Sequence, residues 1–284
     1  GDEGYLFVLE DSVTGQICGT SALEAAVGLD DAFYHYHLGK VVHSSRSLGV
    51  YKTVDILTLC NDYTGVSELC TLFLRTPYRQ KHNGRLLSKM RFLFLAEFQQ
   101  RFADKVIAEL RGVSDNQGNS PFWQWLQENF FALDFPTADY LTGIGQKEFI
   151  AELMPKYPIY VSLLSKAAQQ VIGKVHEQTR PALALLESEG FACRGYVDIF
   201  DAGPTVEARV EQVRTVRDSK RLQVRIGESS GGEPCLISNT SLSGFRACWA
   251  ELNLMTEQDY IIIPPALATA LNVSADDWVR VSKI

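Results

Sequence analysis

The residues best suited to chemistry lie in Thr71–Arg91, TLFLRTPYRQKHNGRLLSKMR. Arg79, Lys81 and Arg85 surround Asn83 and Gly84 in an R-x-x-x-x-G pattern. A short apolar run ends just before it, and a helical run begins within it. The first backbone N–H groups of a helix have no intrahelical acceptor and carry partial positive charge. Glycine lets a ligand approach the backbone, and cationic side chains add attraction. The pattern therefore suits a phosphate or diphosphate. Taken alone, it suits a solvated loop leading into a helix cap equally well. The sequence G-x-x-x-x-G-K-[ST] is absent, and one glycine does not make a dinucleotide fingerprint.

Other reactive side chains read as structure. His35 and His37 alternate on a strand-like run and share a face, but a third metal ligand is missing, so a polar sheet face is expected and no metal. The six cysteines include no C-x-x-C pair, which points to buried free thiols in a reducing cytoplasm. Cys70 is read as one of these. Phe92, Phe94, Phe98 and Phe102 read as core, and Arg214–Arg221 (RTVRDSKR) as solvated surface.

The elements that must position the basic turn follow from hydrophobic period. Ser67–Leu74 (SELCTLFL) is nearly continuous in apolar character, as a strand covered on both faces would be. Asn83–Phe102 places Leu86, Leu87, Met90, Leu93, Phe94 and Phe98 at helical spacing. Lys105–Leu110 is a second buried strand. The centre of the chain is thus strand, basic turn, helix, strand, a crossover between neighbouring strands.

Upstream, Tyr5–Glu10 and Gln16–Ala22 flank the turn DSVTG as a hairpin, and Phe33–His43 and Val54–Cys60 are strand candidates. Downstream, Ser120 caps and Pro121 opens a helix over Ser120–Phe131. Thr179–Phe191 echoes it, with Gly190 as C-cap. Strands at Ala132–Phe135 and Tyr196–Phe200 follow the two helices, a weak sign of internal duplication. From about residue 205 strand-like pieces dominate: Val206–Val213, Arg221–Ile226, Cys235–Ser238, Tyr260–Ile263 and Trp278–Val281. The expected division is residues 1–204 and a β-rich portion over 205–284.

Totals limit the function classes. The chain of 284 residues can bury a substantial core, and its formal net charge of −7 argues against nucleic-acid or anionic-membrane partners. No apolar run reaches the ~18 residues of a membrane span. The chain opens at Gly1, directly before a strand, without an initiator Met, which points to a preceding portion.

The order of strand, phosphate-binding turn, amphipathic helix and buried strand resembles the GCN5-related N-acyltransferase (GNAT) superfamily. Its turn cradles the coenzyme A diphosphate. His82 stands here where that superfamily usually has glycine. A closer resemblance runs through VLEDSVTG, EAAVGLDDAFY, GKVVHSSR, SELCTLFL, NGRLLSKMRFLFLAEF, DKVIAELRGVSDNQGNSPFW, FIAELMPKYPIY, VIGKVHEQTRPALALLESEGF and YVDIFDAGPTVE. These blocks, in this order, are similar to arginine N-succinyltransferase. The resemblance implies an α+β fold with a GNAT-type mixed central sheet flanked by helices, and a β-rich C-terminal portion. Chains of that family normally begin some tens of residues earlier.

The resemblance further implies succinyl transfer from succinyl-CoA to the α-amino group of L-arginine, without a permanently bound cofactor. It implies a cytoplasmic bacterial enzyme, either a homo-oligomer or paired related subunits. The family's proton-donor histidine maps onto His176, where Glu177 replaces the usual proline. Its succinyl-CoA contact maps onto Leu72, with the backbone from Leu72 through Phe73 to Leu74 pairing with the pantetheine arm. Arg79, Lys81, Asn83, Gly84 and Arg85 form the diphosphate set. The substrate guanidinium requires a carboxylate, for which Glu68, Glu109, Asp198 and Asp201 are candidates. The succinyl tail requires a cation, for which Arg111 is the candidate. Ornithine or another cationic amino acid is an alternative acceptor. A non-catalytic, CoA-binding subunit is an alternative of another class.

Overall fold

A computed structural model describes residues 3–80, 82–115, 117–130, 133–143, 148–228, 231–254 and 258–284. Strands β1 (Gly4–Glu10) and β2 (Ile17–Glu24) form the expected hairpin. Asp11 Oδ1 closes its turn by accepting the N–H groups of Val13 and Thr14 at 2.9 and 3.2 Å. Next come β3 (His35–Ser45), β4 (Val50–Cys60), β5 (Ser67–Leu74), helix α1 (Asn83–Glu97) and β6 (Lys105–Glu109). A helical segment follows: α2 (Pro121–Phe130), α3 (Phe135–Gly143), α4 (Glu148–Leu153), the short β7 (Ile159–Tyr160), α5 (Lys166–Val171) and α6 (Arg180–Ser188). Then β8 (Ala192–Val197), β9 (Pro204–Arg209) and α7 (Arg214–Asp218) lead to β10 (Lys220–Ile226) and β11 (Glu233–Asn239). The chain ends with β12 (Ala247–Leu252), β13 (Tyr260–Ile263), α8 (Pro265–Leu271) and β14 (Trp278–Lys283).

Among the described residues the strands form a nine-stranded sheet, in the order β1-β2-β5-β6-β9-β8-β3-β4-β7, and a five-stranded sheet, β12-β11-β14-β10-β13. In the first, β5 and β6 are parallel and every other neighbouring pair is antiparallel. The fold is α+β, with a large mixed sheet, flanking helices and a β-rich C-terminal region.

Packing explains where hydrophobic pattern alone misleads. Helix α1 is buried continuously from Leu87 to Leu95, including Ser88, Lys89 and Arg91. One side of it packs Phe92, Phe94 and Leu95 against residues of β5, β6 and β9. The second sheet covers its other side: Glu97 pairs with Arg280 and Arg221, and His82 stacks on Trp249. The helix ends at Glu97, followed by a 3-10 turn Gln99–Arg101, rather than continuing to Phe102.

The expected strand at Ala132–Phe135 is overturned. Phe135 opens α3, and Thr137 N–H donates to Asp134 Oδ1 at 2.8 Å, which makes Asp134 a helix-start residue. Ala132 lies outside the described residues, as does Phe131 of the expected helix. Since α2 is followed by a helix and α6 by a strand, the proposed duplication loses its basis. Strand β8 runs Ala192–Val197 and stops short of Phe200, because Asp198 turns the chain by accepting the N–H groups of Phe200 and Asp201. Strand β9, grouped by sequence with the C-terminal portion, lies inside the first sheet between β6 and β8. The basic run is not simply solvated: Arg214 pairs with Glu189, Arg217 with Asp218 and Arg221 with Glu97. All six cysteines are free, but only Cys18 and Cys235 are buried; Cys60, Cys70 and Cys248 are partly so and Cys193 is exposed, against the expectation of buried thiols.

Candidate functional site

The centre of the first sheet opens where β5 leaves β6. Among the described residues the two strands pair only at Ser67–Val106 and Glu68–Ile107, and β5 beyond Glu68 has no strand on that side. On its other side β5 carries a bulge. Ala22 faces Cys70 and Thr20 faces Phe73, so Thr71 and Leu72 together oppose one residue of β2. Thr71 adopts φ 54°, a left-handed conformation rare for a β-branched residue, at a cost of order 1–3 kcal/mol.

The bulge is held from two sides. Thr20 Oγ1 donates to Thr71 O at 3.2 Å. Arg91 of α1 is 2% exposed and donates NH1 to both Ala22 O and Cys70 O at 3.4 Å. Burial lowers its guanidinium to about 10, which leaves it cationic near neutral pH. Past the bulge, Arg75 N–H donates to Cys18 O at 2.9 Å. Strand alternation therefore turns the Leu74 N–H and C=O toward the open side. There the Leu74 carbonyl accepts Arg79 Nε at 2.8 Å, which ties the first cation of the basic turn to the open strand.

A 3-10 turn, Thr76–Tyr78, joins β5 to α1. Asn83 closes the basic turn: its Nδ2 donates to Tyr78 O at 3.1 Å and its N–H to Gln80 O at 3.3 Å. The Gly84 N–H has no acceptor among the described residues. A Cβ on Gly84 would meet only Leu74 Cδ2, at 3.9 Å, so the protein leaves that space open. Lys81 lies outside the described residues.

A cavity of about 1030 Å³ follows from this opening. Leu72, Leu74, Arg79, Gly84 and Arg85 line it, together with Arg111 and His176. Phe73 and Asn83 do not. Its opposite wall is α6, through Pro181, Ala182, Ala184, Leu185 and Ser188, a wall that the sequence reading missed. Lys89 also lines it, four residues after Arg85 and so on the same helix face. Lys89 Nζ lies 2.7 Å from Glu189 Oε1, and both side chains are buried. Burial pushes the Glu189 carboxyl up, but hydrogen bonds from Lys89 and the Thr215 N–H outweigh it and hold the group below the usual carboxylate range.

His176 reaches the cavity from the loop before α6. Its N–H donates to Arg111 O at 2.9 Å, and Val175 bridges Gly112. Its Nδ1 accepts the Gln178 N–H at 3.2 Å, capping the 3-10 turn Glu177–Thr179. A neutral imidazole that accepts through Nδ1 carries its proton on Nε2. The residue is thus a cap, and in that tautomer Nε2 is the nitrogen able to donate. Glu177 is exposed.

Arg111 also lines a second cavity, of about 490 Å³, and so borders both. Glu109, Asp198 and Asp201 line the second one, and Glu68 lines neither. Both Asp201 oxygens are occupied: Oδ2 accepts the Gly112 N–H at 2.6 Å and Oδ1 the Gly203 N–H at 2.8 Å. Burial raises the Asp198 carboxyl well above its usual range, and the charges of Asp201 and Glu109 raise it further. Glu109 has a side chain 27% exposed, against 7% for Asp201 as a whole residue. Its Oε1 lies 2.7 Å from Nε2 of the fully buried His35, although neither ring nitrogen of His35 makes an aligned hydrogen bond. We read that contact as a close polar pair. Burial, then the Glu68 charge, pushes the Cys70 thiol up to about 11, so it is no nucleophile near neutral pH.

Comparison with known proteins identifies the family. The profile described as arginine N-succinyltransferase beta subunit matches residues 1–215, and that of its C-terminal domain matches 220–283. Proteins named arginine N-succinyltransferase from Escherichia coli O139:H28 and Salmonella paratyphi B are each 50% identical over all of this chain, covering 82% and 83% of their own lengths. The solved structure of arginine/ornithine succinyltransferase subunit AI from Pseudomonas aeruginosa superposes with a TM-score of 0.91 at 38% identity, covering 100% of this chain and 82% of that one. The chain belongs to the arginine N-succinyltransferase family.

Proposed function

We propose that this chain transfers succinyl from succinyl-CoA to the α-amino group of L-arginine, by direct attack of the amine on the thioester. The observation that carries the reading is the pair of cavities that share Arg111. One has the chemistry for an acyl-CoA, and the other has an acidic wall. The diphosphate sits against the Gly84 N–H with Arg79, Arg85 and Lys89 nearby, and Lys81 completes the set. The pantetheine arm runs along the open edge from Leu72 to Leu74. Arg111 takes the succinyl carboxylate. Glu109 takes the guanidinium, supported by Asp198, whose carboxyl is raised first by burial and then by the neighbouring Asp201 and Glu109 charges.

The reaction balances as follows. The α-ammonium loses a proton, because only the neutral amine has a lone pair to give. Its nitrogen bonds to the thioester carbon, the carbonyl oxygen becomes an oxyanion, and collapse breaks the C–S bond. Amide, CoA thiol and one proton result. The oxyanion requires an N–H donor already in place, which the open strand offers. His176 Nε2–H donates to the sulfur as its charge builds.

The chain works in the cytoplasm as an oligomer of like or related subunits. A second reading exchanges the acceptor for ornithine, because the name of the Pseudomonas aeruginosa neighbour includes it. Initial rates of CoA release from succinyl-CoA, with arginine, ornithine and lysine in turn, test both readings. Release with ornithine but not arginine replaces the first by the second. CoA binding with no release for any amine removes the catalytic reading.

A further inference from the structure

The second sheet grips α1 at both ends. At the C-terminal end, Arg280 Nε donates to Glu97 Oε2 at 2.9 Å, and Arg221 Nε lies 3.4 Å from Oε1. At the N-terminal end, the His82 ring lies flat on the indole of Trp249, with centroids 3.8 Å apart and planes 5° from parallel. His82 is the residue that precedes α1, and its side chain makes no capping hydrogen bond. Trp249 belongs to β12, where it faces the buried Leu236 of β11. A stiff sheet therefore holds the residue two positions before Gly84. Trp249 itself does not line the large cavity.

We infer that Trp249 is a positioning residue for acyl-CoA: by stacking on His82 it orients the basic turn, so that the Gly84 N–H points at the diphosphate. The inference rests on the reading above and assigns a task to the C-terminal sheet within it. A turn that binds anions through its backbone works only while its N–H groups converge. Here His82 stands beside that N–H, and its ring is the handle by which a distant sheet fixes the backbone. Glu97 with Arg280 sets the other end of the same helix, so rotation and slide of α1 are both restrained.

The test uses the full chain as Trp249→Ala, Trp249→Phe, His82→Ala and the double variant His82→Ala/Trp249→Ala. Trp249→Ala is expected to raise KM for succinyl-CoA about three- to tenfold, the ratio that an aromatic pair's contribution converts to. The kcat and the KM for the amine stay within about twofold. Succinyl-pantetheine, which lacks the diphosphate, is used equally well by parent and variant. Trp249→Phe restores the parental KM, and the double variant is no worse than either single change, because both remove one contact. An unchanged KM for succinyl-CoA overturns the inference, as does an equal loss with succinyl-pantetheine or additive losses in the double variant. Direct titration of CoA keeps the two readings separable. A parent that binds CoA but releases none from succinyl-CoA removes the proposed reaction, and the stack is still judged by the Kd ratio. A parent that binds no CoA removes both.

Discussion

Replacing His176 by asparagine separates its two tasks. Nδ1 accepts the Gln178 N–H at 3.2 Å and so caps a short turn, while His176 lines the cavity and Nε2–H is its proposed donor there. Asparagine is a good cap residue whose oxygen stands near the Nδ1 position, but it does not extend to the Nε2 position. His176→Asn is therefore expected to fold as the parent does and to lack only the donor. A hydrogen bond to a group gaining charge contributes about 1.5–3 kcal/mol, so kcat should fall about 10- to 150-fold. His176→Ala loses the cap as well, at a further cost of about 0.5–2 kcal/mol in stability, nearer the lower end for a three-residue turn. Initial rates of thiol release give kcat, equilibrium titration gives CoA affinity, and a thermal melt reports the cap. With a succinyl thioester of a more acidic thiol the asparagine defect should shrink, because the departing sulfur needs less help. Parental turnover in His176→Asn refutes the donor role. So does a loss of CoA affinity as large as the loss of kcat, which would make the residue a binding contact.

Two further outcomes follow from the geometry. Gly84→Ala meets only Leu74 Cδ2 at 3.9 Å in the free protein, so the melt should not fall, while a methyl against the bound diphosphate should raise KM for succinyl-CoA about 5- to 150-fold. A lowered melting temperature with unchanged KM sinks that expectation. Asp198 carries a carboxyl raised by burial and by its acidic neighbours, and a bound guanidinium favours its ionised form. The KM for arginine should therefore fall as pH rises through the range above ordinary carboxylates, and Asp198→Asn, which keeps the oxygen that Phe200 and Asp201 donate to, should flatten that fall. A carboxyl raised on folding stabilises the fold below its unfolded pKa and loses that contribution as pH rises through the folded one, so the asparagine variant should gain Tm relative to the parent toward neutral pH. A parallel pH profile in parent and variant counts against the acidic wall as the guanidinium site.

The unit β5, basic turn, α1, β6 is legible in the residues alone, because each piece announces itself through local chemistry. A buried strand is apolar without alternation, a helix repeats every three to four residues, and unpaired amides with cations mark a helix start. The family is legible there too, through blocks of side chains in order. How the unit is used comes from contacts made in the folded chain. The bulge at Thr71 depends on Arg91, twenty residues away, reaching the carbonyls of two strands. By residue type Asp201 is one of four guanidinium candidates, but the Gly112 N–H, from another strand end, occupies its carboxylate. Helix α1 reads as having one apolar face, yet every residue from Leu87 to Leu95 is buried, since the sheet that covers its second side is built from residues 220–283. Period along a chain reports what a segment prefers to bury; what arrives to bury it is fixed by contacts between residues far apart in sequence, and those leave no local pattern.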